Sequence, residues 1–198
     1  MKWQNSDLRK VYSSLSGISK LKGVSAEFAR PNNADPYIAN DSVSTAVGTA
    51  LTFAGVLSNS NNSGIIIPRI ITNQQTQAYR LNLYTEAPAA IPDNDPYTPS
   101  QEKIRKLIHT FYLPLEKQIS TDTFSYEPIL SKGFSFATPI GLAGLGQYID
   151  QANLEELKIF TGYTTIYGQL WIDSALNPSI AQANLKIELG ILEIEATL

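Results

Sequence analysis

From Asn184 to Glu195 the chain reads Asn-Leu-Lys-Ile-Glu-Leu-Gly-Ile-Leu-Glu-Ile-Glu, with Leu185, Ile187, Leu189 and Ile191 alternating with polar positions. Successive side chains of a strand point to opposite faces, so the pattern describes a strand with one dry face and one wet face. Tyr163 to Asp173 carries the same signal: Ile166, Leu170 and Ile172 lie on one face, and Tyr167, Gln169 and Trp171 on the other. Ser174 to Ala183, with Pro178, reads as a loop between them. Two half-wet strands closing a chain require a sheet packed on a second layer. Near the end Ile191 and Leu192 are adjacent and Ile194 continues in phase with Leu192, beside Gly190. That slip predicts a bulge or bend.

The rest of the chain repeats short strand signals between turn-rich segments. Val24, Ala26 and Phe28 alternate with polar residues, and Pro31 to Tyr37 is a turn-rich loop. Val43 to Val56 reads as a strand interrupted near Gly48, and Ser58 to Gly64 as a polar hairpin loop. Ile65 to Ile71 is dense in isoleucine, with Pro68 placing it at an edge or a bulge. Tyr79 to Thr85 alternates cleanly. Glu86 to Ser100 holds four prolines and predicts a long exposed loop. A short helical turn near Ser100 to Lys103, then a strand through Ile108 to Leu113, follows. Further strands are expected around Phe124 and over Lys132 to Ala137, with a helical turn or two over Gln151 to Leu157. Eight or nine strands without interleaved helices predict an all-β fold, a jelly-roll-like antiparallel β-sandwich spanning 23–198. In residues 1–22, Leu8, Tyr12 and Leu15 form a helical stripe, predicting a short helix or an arm that docks on a partner.

Of the 198 residues 17% are charged, against a usual value of roughly 25%. Asn, Gln, Ser and Thr fill the difference, a surface chemistry shared by β-rich proteins and by proteins that pack on copies of themselves. The net charge is −3 and the basic residues are scattered. A phosphate-neutralising groove needs them clustered, so no direct nucleic-acid partner is expected. There is no cysteine, which removes disulfides and thiolate chemistry. The first ten residues lack an apolar h-region, and no apolar run reaches the length of a membrane span. Synthesis in a cytoplasm and no membrane partner are expected.

Catalytic signals are thin. His109 is the only histidine and sits among Leu107, Ile108, Phe111 and Tyr112, where a structural strand residue is expected. Asp93-Asn-Asp95 fails the spacing of a calcium loop, because Thr98 and Ile104 occupy the positions that need glycine and an acid. It reads as turn chemistry. Gly141 to Gly146 lacks the lysine of a phosphate loop. No metal, no cofactor and no enzymatic activity are therefore expected. Paired carboxylates of a glycosidase depend on spacing in three dimensions and stay a minor alternative. Tyr163, Tyr167 and Trp171 suit either a subunit interface or a sugar-stacking shelf, and the interface is favoured.

Five blocks carry a resemblance: Leu51-Thr-Phe-Ala-Gly-Val56, Ser63-Gly-Ile-Ile-Ile67, Leu81-Asn-Leu-Tyr-Thr85, Ile166-Tyr-Gly-Gln-Leu-Trp-Ile172 and Leu185-Lys-Ile-Glu-Leu-Gly-Ile-Leu192. Their order over residues 36 to 196 resembles the small head decoration, or auxiliary capsid, proteins of tailed bacteriophages. The resemblance implies a jelly-roll-like sandwich on the capsid exterior, often a homotrimer at quasi-threefold positions, partnered with the major capsid protein and made in the host cytoplasm. It carries over no catalytic residues. The expected role is structural: stabilising capsomer contacts, with Leu8, Tyr12, Leu15, Tyr163, Tyr167, Trp171 and loop 86–100 as contact candidates. The alternative is a carbohydrate-binding module, with a glycan as partner.

Overall fold

The computed structural model describes residues 18–73, 78–127, 159–178 and 182–194. Their strands are β1 (Ile18–Ala29), β2 (Ser42–Val43), β3 (Leu51–Ala54), β4 (Ser63–Thr72), β5 (Tyr79–Tyr84), β6 (Leu107–Leu113), β7 (Leu115–Ser120), β8 (Thr123–Glu127), β9 (Ile159–Thr161), β10 (Thr165–Ile172) and β11 (Asn184–Ile194). Among the described residues one helix, α1 (Gln101–Arg105), is capped by the Ser100 hydroxyl, which accepts from the Lys103 N–H. The strands form two antiparallel sheets. The first runs β1-β11-β4-β8-β7, with β9 also on β4; the second runs β2-β10-β5-β6, with β3 beside β2 on the same side of β10. The first strand pairs with the last, and β3 and β5 flank the next-to-last. This nested order is the wrapping of a jelly roll, and the expected sandwich is present.

The core lies between the sheets. Leu185, Ile187, Leu189 and Ile191 of β11 and Ile66 and Ile70 of β4 face Leu81, Leu83, Ile166, Leu170 and Ile172 of the second sheet, all essentially solvent-free. The two closing strands are not partners of each other: β11 completes the first sheet and β10 the second. The 58–64 segment is likewise no hairpin loop, because β3 and β4 lie in different sheets and it crosses between them.

Several local expectations change. Residues 18–22, placed with the N-terminal segment, are the start of β1, which pairs with β11 from Ile18 onward. The predicted bulge in β11 is absent. β11 pairs with β4 residue by residue from Leu185 to Ile194, and the register shift lies in β1, between Ile18 and Lys20. The reason is Glu193. It keeps the inward phase of Ile191 and is fully buried, so an acid sits where the apolar count registers a slip. Pro68 is tolerated because β9 and β8 cover β4 only opposite 63–65 and 70–72, leaving 66–69 single-sided among the described residues. β7 is a strand the pattern did not reveal. The expected elements at Lys132–Ala137 and Gln151–Leu157, and Gly141–Gly146, lie outside the described residues.

Gly48 turns the chain between β2 and β3 at φ +74, and a Cβ there would sit 2.6 Å from the backbone of Ile91. Gly55 has φ +72 but open space around it. Gly55→Ala is expected to cost only the left-handed strain of about 1–2 kcal/mol. Gly48→Ala adds a backbone collision and should cost at least twice as much, which urea unfolding of the two variants would measure.

Candidate functional site

The loop 86–100 is neither free nor wholly exposed. It lies alongside β2 as an irregular extra strand. Asp93 N–H donates to Thr45 O (3.0 Å), Asn94 N–H to Ser42 O (2.9 Å), Ser42 N–H to Asp95 O (2.9 Å) and Tyr97 N–H to Asn40 O (2.8 Å). Asn94 takes φ 63, a left-handed conformation that asparagine accepts more readily than most residues.

Asp93 anchors this arrangement. Its carboxylate accepts from the Tyr37 hydroxyl (2.7 Å), the Ser44 N–H (3.0 Å) and Arg30 Nε and Nη2 (3.3 and 3.2 Å). The Arg30 and Asp93 side chains are each only 2% exposed, and the Arg30 guanidinium lies 4.5 Å over the Tyr37 ring. Burial first, then the Asp93 charge, push the Tyr37 phenol up, so it acts as a neutral donor. Asp93 thus ties together the end of β1, the segment before β2 and the loop itself. The dipeptide-level reading of Asp93-Asn-Asp95 as turn chemistry misses this, because all three partners are distant in sequence.

Tyr97 is the second anchor. It stacks on Trp171, centroids 5.4 Å apart and planes at 6°, and its hydroxyl meets those of Tyr84 and the Asn82 amide. Gln169 Nε2 donates to Ala89 O (2.7 Å). Arg80 pairs with Asp173 and lies near both the Trp171 and Tyr112 rings. The outer face of the second sheet therefore carries a row of Tyr97, Trp171, Arg80 and Tyr112, roofed in part by the chain's own loop.

This placement redistributes the sequence candidates. Trp171 is half-buried beneath Tyr97, not presented outward; Gln169, also expected outward, is buried. Tyr167 is half-buried on β10. Tyr163 precedes β10 and is 42% exposed, in a separate hollow. The three aromatics do not form one shelf. Leu8, Tyr12 and Leu15 lie outside the described residues. His109 sits edge-on against Phe111, centroids 4.6 Å apart, within the second sheet. Among the described residues the most exposed large aliphatic side chains, missed in the sequence, are Val47 (79%) and Ile38 (63%), on either side of β2 where loop 86–100 is tied down. No strand periodicity marks them, because both lie in turns.

No family model matches the chain, and no curated protein matches it. Among solved structures, a chain of the native virion of Kashmir bee virus at neutral pH aligns over 96% of this chain and 79% of its own length, at 14% identity and a TM-score of 0.29. That superposition is loose; the strand order above defines the fold.

Proposed function

We propose that this chain is a structural virion protein, an auxiliary or decoration protein of the outer capsid surface that stabilises contacts between capsomers of a tailed phage. The observation that carries the reading is the locked loop 86–100 with Ile38 and Val47 beside it. An interface held rigid before binding loses little conformational entropy on docking. Two large aliphatics exposed on such a rigid surface are suited to burial against a neighbour. The family resemblance of the five sequence blocks points to the same role, with the major capsid protein as partner. In a homotrimer three such surfaces act together, so a modest single contact suffices.

The test is co-sedimentation with purified particles. Ile38→Asp combined with Val47→Asp leaves the core untouched, and attachment is expected to weaken at least tenfold, on the order of 1.4 kcal/mol or more. Unchanged attachment would remove this surface from the interface. The N-terminal stripe is tested separately by deleting residues 1–17, which leaves β1 whole; the shortened chain should fold and lose attachment. Light scattering after size exclusion reads the trimer directly. The glycan-binding reading no longer rests on Trp171, and a different place in the structure favours it.

A further inference from the structure

A hollow of about 560 Å³ opens where β5 ends, α1 lies and β6 begins, a volume within the range of small-molecule sites. Its walls are fixed by the fold. The Thr85 N–H donates to Lys106 O (2.9 Å). Lys106 Nζ pairs with Glu86 (2.5 Å), and Lys103 Nζ donates to Ala87 O (2.9 Å), holding α1 against the strand end. Leu107 and Ile108 supply apolar lining.

Three side chains at this hollow are left available. Tyr163 is 42% exposed. Glu102 and Arg105, on α1, make no hydrogen bond or ion pair among the described residues. We propose that the hollow is a carbohydrate subsite that takes one neutral pyranose unit of a glycan. A tyrosine face complements the C–H face of a pyranose, since the ring is apolar while its hydroxyl stays wet. A carboxylate accepts from sugar hydroxyls and a guanidinium donates to them, so Glu102 and Arg105 together serve a ligand whose every polar group is both donor and acceptor. Among the lining residues Glu86 is balanced by Lys106 and Glu102 by Arg105, so the lining itself carries no net charge, and the Lys103 ammonium is turned to the Ala87 carbonyl. The open side leaves room for the rest of a glycan chain. A single subsite of this kind binds at about millimolar strength, and copies of the chain on one particle would multiply it. The hollow shares Glu86, the first residue of loop 86–100, with the surface proposed above but includes neither Ile38 nor Val47, so glycan binding and particle attachment are tested by different variants.

Saturation-transfer NMR with the methyl glycosides of glucose, galactose, mannose and N-acetylglucosamine tests it, with a sialoside as the charged comparison. At least one neutral glycoside should receive saturation from the protein. Tyr163→Ala should weaken that signal at least tenfold, and Tyr163→Phe should retain it. Arg105→Ala, an exposed change on α1, should also weaken it and keeps the test valid if Tyr163→Ala lowers stability. Transfer to none of the four glycosides, transfer that survives both alanine variants, or transfer to the sialoside alone would overturn the proposal.

Discussion

Asp93→Ala should cost about 3–5 kcal/mol of stability, the penalty for leaving one member of a buried ion pair without the other. The variant takes the carboxylate from the Arg30 guanidinium, 2% exposed, whose hydrogen bond to Asn33 Oδ1 (3.4 Å) does not replace a counter-charge. It also leaves the Tyr37 hydroxyl and the Ser44 N–H without acceptors. In a chain of this size the melting temperature should fall by roughly 10 °C. Asp93→Asn keeps the shape and one acceptor oxygen, yet turns an amide N–H₂ towards a guanidinium, donor against donor. It should therefore recover little. Adding Arg30→Met to Asp93→Asn removes the buried positive charge and should restore part of the loss, so a double-mutant cycle separates the pair from the packing around it. Asp93→Ala removes the loop's side-chain ties to Arg30, Tyr37 and Ser44 and leaves its backbone hydrogen bonds to Asn40, Ser42 and Thr45. Attachment should then fall together with stability, whereas Ile38→Asp with Val47→Asp affects attachment alone.

Glu193→Gln is expected to cost about 3 kcal/mol, since its carboxylate accepts four donors inside the sandwich. They are the Ser58 N–H (2.6 Å), the Ser58 hydroxyl (2.8 Å), Asn62 Nδ2 (2.6 Å) and Lys22 Nζ (2.9 Å). An amide offers one acceptor oxygen in place of two and brings a donor into a ring of donors. Burial alone would push the Glu193 carboxyl up. The hydrogen bonds from Asn62, the Ser58 N–H, Lys22 and the Ser58 hydroxyl outweigh it and hold the group at about 2, below its usual 4.5. A depressed folded-state value means that the unfolded chain takes up the proton first. The contribution is therefore complete above about pH 4.5 and disappears as the pH falls towards 2. Urea midpoints across that window should drop more steeply in the parent than in Glu193→Gln, and the gap between them should close at the acid end. A gap unchanged from pH 5 to 2 would mean that the charge of Glu193 contributes nothing.

Those two acids also mark where the sequence stops being legible. β10, β11 and β5 are readable because each presents one apolar face at a strict period of two, a property local to the segment. The sandwich follows from them. β7 is not readable, because Leu115 to Ser120 carries Glu116, Lys117 and Gln118 in place of an apolar face. Asp93 looks like any turn aspartate, since burial is conferred by Arg30, Tyr37 and Ser44, all at least 49 positions away. Glu193 misleads more actively: an acid in the inward phase makes a continuous strand read as a bulged one. The same gap hides Tyr97, whose stack on Trp171 converts an apparently outward aromatic into a roofed one. Tyr163 lies before β10 and stays exposed. Local pattern thus reveals strands and faces, and long-range polar contacts decide which faces remain available.

The most direct measurement is quantitative mass spectrometry of gradient-purified virus particles from cells that express the chain. The proposed role predicts that the chain bands with the major capsid protein at a fixed ratio and is lost from particles when it carries Ile38→Asp and Val47→Asp. Particles that contain none of it, with the chain recovered only in the free fraction, would contradict a structural place in the virion.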